Sequence, residues 1–129
     1  MVVATLATAT GCGSARSLPK DEATRYYAQI YAIESRLVHA VRAKDAEKVQ
    51  KALADGETTL PKIKPPEWAR SDHALLTKEW AQLASDAADA RDDPGAGFEE
   101  AVGADTRQIS ATTARLAAAA AEHRARGSA

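Results

Sequence analysis

Large apolar residues recur at steps of three and four along three long stretches of the chain. In the first stretch they are Ile30, Ile33, Leu37, Val41, Val49 and Leu53. In the second they are Leu76, Trp80, Leu83, Ala87 and Ala90. In the third they are Phe98, Val102, Ile109 and Leu116, with Asp105 and Thr112 at weaker positions of the same stripe. Such spacing places the residues on one face of a helix, and no alternating strand pattern accompanies it, so the pattern predicts an all-α protein.

Start and stop signals bound the first helix. Asp21 and Glu22 follow Pro19 and suit the positive end of a helix dipole, and Gly56 suits a C-terminal stop. The polar pair Lys44-Asp45 interrupts the stripe, and Asp45 could cap a second, shorter helix. We expect one helix from about residue 20 to 55, with a break at this pair as the alternative.

Prolines and glycine separate the other stretches. Residues 56–66 contain Pro61, Pro65 and Pro66 and predict a connector whose Leu60 and Ile63 turn inward. Helices are expected over 66–92 and 96–124, divided by Asp93-Pro94-Gly95. We therefore predict an up-down-up antiparallel three-helix bundle over residues 20–126, or four helical segments if the first helix is broken near Lys44-Asp45.

Composition narrows the classes of function. About a quarter of the chain is Ala, which favours helices but buries little area, so the core should be thin. The chain carries 17 Lys and Arg against 18 Asp and Glu, for a net charge of −1. No overall basic surplus exists to bind nucleic acid through its phosphates, so we expect no nucleic-acid partner.

The single cysteine, Cys12, follows a run of apolar and small residues and directly follows Thr10-Gly11. This junction resembles the cleavage site of bacterial lipoprotein signal peptides, in which the cysteine after the cut is lipidated. The resemblance implies that Cys12 carries more than one acyl chain, such as palmitate, because a single chain anchors only marginally. Ala9 stands where that family usually has Leu or Val. The alternative is a disordered N-terminus with an incidental buried or free thiol.

The resemblance divides the chain into three parts: a signal-peptide remnant at 1–11, a lipidated Cys12 and tether at 12–19, and the helical domain at 20–126. Signal peptides begin with a basic region, and no Lys or Arg lies between Met1 and Cys12. We therefore expect the true signal to start upstream of Met1. The segment from Leu60 to His73, with Pro65-Pro66 followed by a helical histidine, is similar to small helical lipoproteins of actinobacteria, which implies no particular activity.

Two histidines are weak candidates for a metal site. If the second and third helices are antiparallel, His73 near the start of one and His123 near the end of the other approach at one end of the bundle. The pair would form half a metal site, or two amphipathic side chains that close the end of the core. The second interpretation is favoured, because no carboxylate motif accompanies them.

Asp86 and Asp89 lie three residues apart on one helical face, with Asp92 and Asp93 close by. Such carboxylates could bind a hard cation such as calcium. The glycine-bearing loop of a calcium site is missing, so a solvated acidic face is favoured. We expect no resident metal and no cofactor.

Tyr26, Tyr27 and Tyr31 cluster in the first helix, with Arg25 and Arg36 nearby. Tyr and Arg are enriched at protein interfaces, so the cluster is a weak candidate for partner binding. Packing of the tyrosines on the open end of the bundle is the favoured interpretation. No nucleophile, phosphate-loop or haem motif occurs, which argues against an enzyme. We expect a lipid-anchored module on the extracytoplasmic face of the cell membrane that acts through protein contacts or as a spacer. The alternative is an accessory lipoprotein that binds a small ligand or metal.

Overall fold

The computed structural model describes residues 21–92 and 98–128. Most of this part of the chain belongs to four α-helices: α1 (Glu22–Arg42), α2 (Ala46–Thr59), α3 (Arg70–Asp92) and α4 (Phe98–Ser128). Two short 3-10 turns, Leu60–Lys62 and Glu67–Ala69, connect α2 to α3. The described residues contain no strand, and the all-α prediction is confirmed.

The expected count of three helices is wrong, because the first helix is broken where the polar pair interrupts its stripe. Lys44 has a φ of 54°, in the left-handed region. Its N–H donates to the carbonyl of Val41, and the N–H of Asp45 donates back to Ala40. These two bonds form a Schellman motif that ends α1. The Asp45 carboxylate then accepts from the N–H of Lys48 at 3.2 Å and caps α2.

Gly56 does not stop a helix, contrary to expectation; it is buried within α2. A Cβ built on Gly56 would overlap the indole ring of Trp80. The indole Nε1 donates to the carbonyl of Leu53 at 2.9 Å, which holds the ring across the glycine. The glycine is therefore explained by the close approach of α2 and α3, and not by a helix end.

Each helix packs against the next in chain order, and α4 also packs against α1. Along each pair, residue numbers rise on one helix as they fall on its neighbour, so adjacent helices are antiparallel. Between α1 and α4, for example, Glu34 accepts from Ser110 and Lys44 lies 3.8 Å from Glu99. The starts of α1 and α3 and the end of α4 thus meet at one end of the molecule, and the α1–α2 turn lies at the other.

The predicted stripes form the core. Its largest fully buried side chains are Trp80, Ile30, Leu37, Leu60, Leu76, Leu83, Ile109, Leu116, Val49, Val102 and Thr112. Leu60 and Ile63 turn inward from the connector, as predicted. The helix predicted over 66–92 is α3, and it begins later than expected, at Arg70, because a 3-10 turn follows Pro66.

Several predictions concern residues that the structure does not describe. Cys12, the segments 1–11 and 12–19, and the Asp93-Pro94-Gly95 break lie outside the described residues. Within the described ranges, no helix is both long enough and apolar enough to cross a bilayer.

Candidate functional site

A buried hydrogen-bonded pair closes the end of the bundle that contains Asp21. The Tyr26 hydroxyl lies 2.7 Å from Nδ1 of His73, and Nε2 of His73 lies 3.1 Å from the carbonyl oxygen of Leu60. A carbonyl only accepts, so Nε2 carries a proton, and in the neutral ring Nδ1 then accepts from the Tyr26 hydroxyl. Burial, reinforced by the negative charge of Asp72, raises the pKa of the Tyr26 hydroxyl. The tyrosine therefore stays a donor, and both nitrogens of His73 serve the fold.

His123 lies at the same end of the bundle but contacts Trp68. Its ring stacks on the indole with centroids 4.7 Å apart, and the indole meets Tyr26 edge-on at 5.8 Å. His73 and His123 thus lie at one end of the bundle, as predicted from antiparallel packing, and Tyr26 and Trp68 lie between them. Across the two described ranges, no group of three or more His, Cys, Asp or Glu side chains could share a metal ion. The geometry matches side chains that close the core.

Asp86 of α3 faces Asp105, a carboxylate at a weak position of the apolar stripe of α4. Asp86 accepts from Gln82 at 2.9 Å and contacts Asp105, whereas Asp89 is exposed. Oδ2 of Asp105 is buried and has no hydrogen-bond partner among the described residues. Burial first, then hydrogen bonding and charge from Asp86, raise the pKa of Asp105 to about 6. Protonation of Asp105 as the pH falls through 6 would supply the missing donor between the two carboxyls.

The three tyrosines of α1 do not form one surface patch. Tyr26 is buried and hydrogen-bonded to His73, so it packs within the bundle and is not a partner-binding residue. Tyr27 is half-buried, and Tyr31 is 55% exposed, with ring centroids 6.1 Å apart. Burial, followed by the charge of Glu34, raises the pKa of Tyr27. The Tyr27 hydroxyl therefore keeps its proton at pH 7, and its ring lies beside that of Tyr31.

Tyr27 and Tyr31 form one wall of a groove between α1 and α4. The groove has a volume of about 350 Å³ and is also lined by Thr24, Ala28, Ala117, Ala120, Ala121 and Arg124. Alanines therefore supply most of its floor, because α4 carries a run of alanines over residues 117–121 where it packs on α1. The spacing of the tyrosines is visible in the sequence. Identifying the alanines that face them required knowledge that α1 packs against α4.

The groove ends at a small polar cluster. Arg124 donates to the Thr24 hydroxyl at 3.1 Å, and Thr24 donates to Asp21 through its hydroxyl at 2.5 Å and its N–H at 3.0 Å. The side-chain and backbone bonds from Thr24, with a smaller contribution from the charge of Arg124, lower the pKa of Asp21. This cluster caps α1 and ties it to the end of α4.

Comparison with known proteins adds no relative: no family model matches the chain, and neither a curated protein nor a solved structure is detectably similar to it.

Proposed function

We propose that this protein is a lipid-anchored helical module on the extracytoplasmic face of the cell membrane. It binds another protein through the groove between α1 and α4, and it performs no catalysis of its own. The observation that carries the proposal is the exposure of Tyr31 beside a groove whose floor is made of alanines.

The exposure of Tyr31 is unusual for this chain. Among the described residues, only Tyr31 and Leu75 are large hydrophobic side chains with substantial exposure, at 55% and 38%. Tyrosine offers a rigid apolar ring with a polar tip, and for this reason it is enriched where proteins bind each other. A ring kept in water beside an apolar groove is thus better explained by a partner than by the core.

The groove indicates the chemistry of the partner segment. Small side chains on both helices leave a depression of about 350 Å³ with no bulky residue in its floor. A leucine- or phenylalanine-sized side chain of a partner would fill it and pack on the tyrosine rings. We therefore expect the partner to present an apolar segment, and the phenolic hydroxyls to satisfy polar groups at its edge.

The anchor rests on the Thr10-Gly11-Cys12 junction. The groove begins near Asp21, the first described residue of the bundle. An anchor at Cys12 would therefore hold the groove near the membrane. In the native host, the full chain should incorporate fatty acid, and Cys12→Ala should abolish both the label and the membrane retention. An unlabelled wild-type protein in the cytosol would exclude the anchor.

Site-specific photocrosslinking in the native host tests the groove separately from the anchor. A photoreactive amino acid in place of Tyr31 should give a discrete crosslinked protein. The same amino acid in place of Glu57, which is exposed between α2 and α3 on the other side of the bundle, should not. Adding Ala121→Glu, an exposed change in the groove, should suppress the Tyr31 product. Equal products from both sites, or a Tyr31 product that survives Ala121→Glu, would refute groove binding whatever the fate of the anchor.

A further inference from the structure

Positive charge is concentrated in the chain segment around the α1–α2 turn. Residues 36–51 contain five Lys and Arg, one His and only two acidic residues, although the whole chain has a net charge of −1. One of the two acids, Asp45, is engaged in capping α2. The charge balance of the whole chain therefore conceals a local surplus of cations around the α1–α2 turn.

Three of these cations, Arg36, Lys48 and Lys51, line a cleft between α1 and α2. Each helix contributes one face to it at spacings of three and four residues, and the volume is about 530 Å³. The lining residues are Arg36, His39, Ala40 and Ala43 from α1, and Lys48, Lys51, Ala52 and Asp55 from α2. Alanines form the floor and basic side chains form the rims, so long cationic side chains can reach inward without steric competition.

The cations of the cleft are only partly compensated. Asp55 is the one acidic lining residue, and it lies 3.5 Å from Arg36 in an exposed ion pair. In the described part of the chain, neither Lys48 nor Lys51 has a carboxylate within ion-pair distance. Two ammonium groups on one face of α2 thus repel each other, and the only carboxylate in the lining is already paired with Arg36, so an anion between the lysines would relieve that repulsion.

We infer that this cleft binds the phosphate group of a phosphorylated ligand. A phosphate carries up to two negative charges and several acceptor oxygens. Two lysines can bind it as point charges while the Arg36 guanidinium supplies a fork of donors. A cleft of this volume also admits the organic part of a small ligand over its alanine floor.

The cleft is separate from the proposed partner groove, because the two are lined by different parts of α1. The cleft ends at Ala43, and the helix between Asp21 and Ala43 is about 30 Å long at 1.5 Å per residue. The cleft and the groove therefore lie toward opposite ends of α1. The phosphate can belong to a free small molecule or to an anionic lipid headgroup, and both have the same recognition chemistry.

Calorimetric titration with inorganic pyrophosphate at low salt tests the free-ligand source. Sedimentation with phosphatidylglycerol vesicles, against phosphatidylcholine vesicles, tests the headgroup. The informative variant is Lys48→Gln with Lys51→Gln. Its matched control is Lys62→Gln with Lys64→Gln, which makes the same change in charge at exposed positions of the connector.

We expect saturable binding of at least one probe by the wild type and the control, and at least tenfold weaker binding by the Lys48/Lys51 variant. Binding of pyrophosphate alone identifies a free ligand, and binding of anionic vesicles alone identifies a headgroup. No saturable binding of either probe, or an equal loss in both variants, would overturn the inference. Circular dichroism melts of both variants verify that the loss does not arise from unfolding.

Discussion

At the scale of single residues, the most informative position is Gly56, because local propensity and tertiary contact predict opposite effects there. Glycine inside a helix costs about 1 kcal/mol relative to alanine. The missing Cβ, however, is what lets the indole of Trp80 lie on α2. Trp80 is 1% exposed and bonded to Leu53, so the ring has no free space into which to retreat.

Gly56→Ala should therefore destabilise the protein despite its better helix propensity. We expect the free energy of unfolding to fall by about 1–3 kcal/mol, the usual cost of overpacking a core. The matched control is Gly103→Ala in α4, where an added Cβ meets nothing closer than Arg107 at 3.7 Å. That change should be neutral or stabilise by up to about 1 kcal/mol. Urea unfolding measures both, and a Gly56→Ala protein as stable as the control would contradict the packing assigned to Trp80.

At the scale of elements, the α1–α2 turn decides the architecture. It contains neither Gly nor Pro, the residues that most often end a helix. The left-handed position of its Schellman motif is instead occupied by Lys44, which carries the steric cost of its Cβ. The Lys44–Glu99 ion pair is exposed on both sides and offsets little of that cost.

Lys44→Gly should stabilise the protein by roughly 0.5–1 kcal/mol, since glycine adopts a positive φ without strain. Lys44→Ala separates this effect from the lost ion pair, because alanine removes the charge and keeps the Cβ. We expect the alanine variant to be no more stable than the wild type in urea unfolding. If both variants were equally stabilised, relief of backbone strain could not be the reason.

The α1–α2 turn is the part of the fold that the sequence predicted least well. The stripes from Ile30 to Leu116 located the core, because periodicity of apolar residues reports burial directly. The break at Lys44 carried only one local signal, the capping Asp45, which was weaker than the continuing stripe. The long first helix was therefore preferred, and Gly56 was mistaken for its end.

The candidate sites were predictable to the extent that they depended on one helix. Tyr27 and Tyr31 belong to one face of α1 and were identified together. The alanine floor opposite them, and the cationic cleft, each combine two helices and required the pairing of α1 with α4 and of α1 with α2. Tyr26 was misplaced because helical spacing does not distinguish a tyrosine that bonds a buried histidine from one that faces a partner.

At the scale of the whole molecule, the α3–α4 interface couples proton binding to folding. Asp105 faces Asp86 across this interface, and its buried oxygen has no donor among the described residues when both groups are ionised. The folded-state pKa of about 6 lies above the ordinary value of 3.8, so the folded protein binds this proton more tightly than the unfolded chain. Its contribution to stability is therefore fully present below about pH 4 and is lost as pH rises through 6.

Asp105→Asn places a permanently neutral side chain, which can also donate, opposite Asp86. The variant should be more stable than the wild type at pH 7.5, by on the order of 1 kcal/mol once solvent screening of a half-buried site is allowed for. The advantage should shrink toward pH 4.5, where the wild type carries its own proton. Urea unfolding at the two pH values measures this difference, and taking it between proteins cancels the contribution of every group that the two proteins share. Asp89→Asn, at an exposed position of α3, is the control and should show no pH-dependent gain. An Asp105→Asn protein less stable than the wild type at pH 7.5, or equally affected at both pH values, would mean that the two carboxyls share no proton.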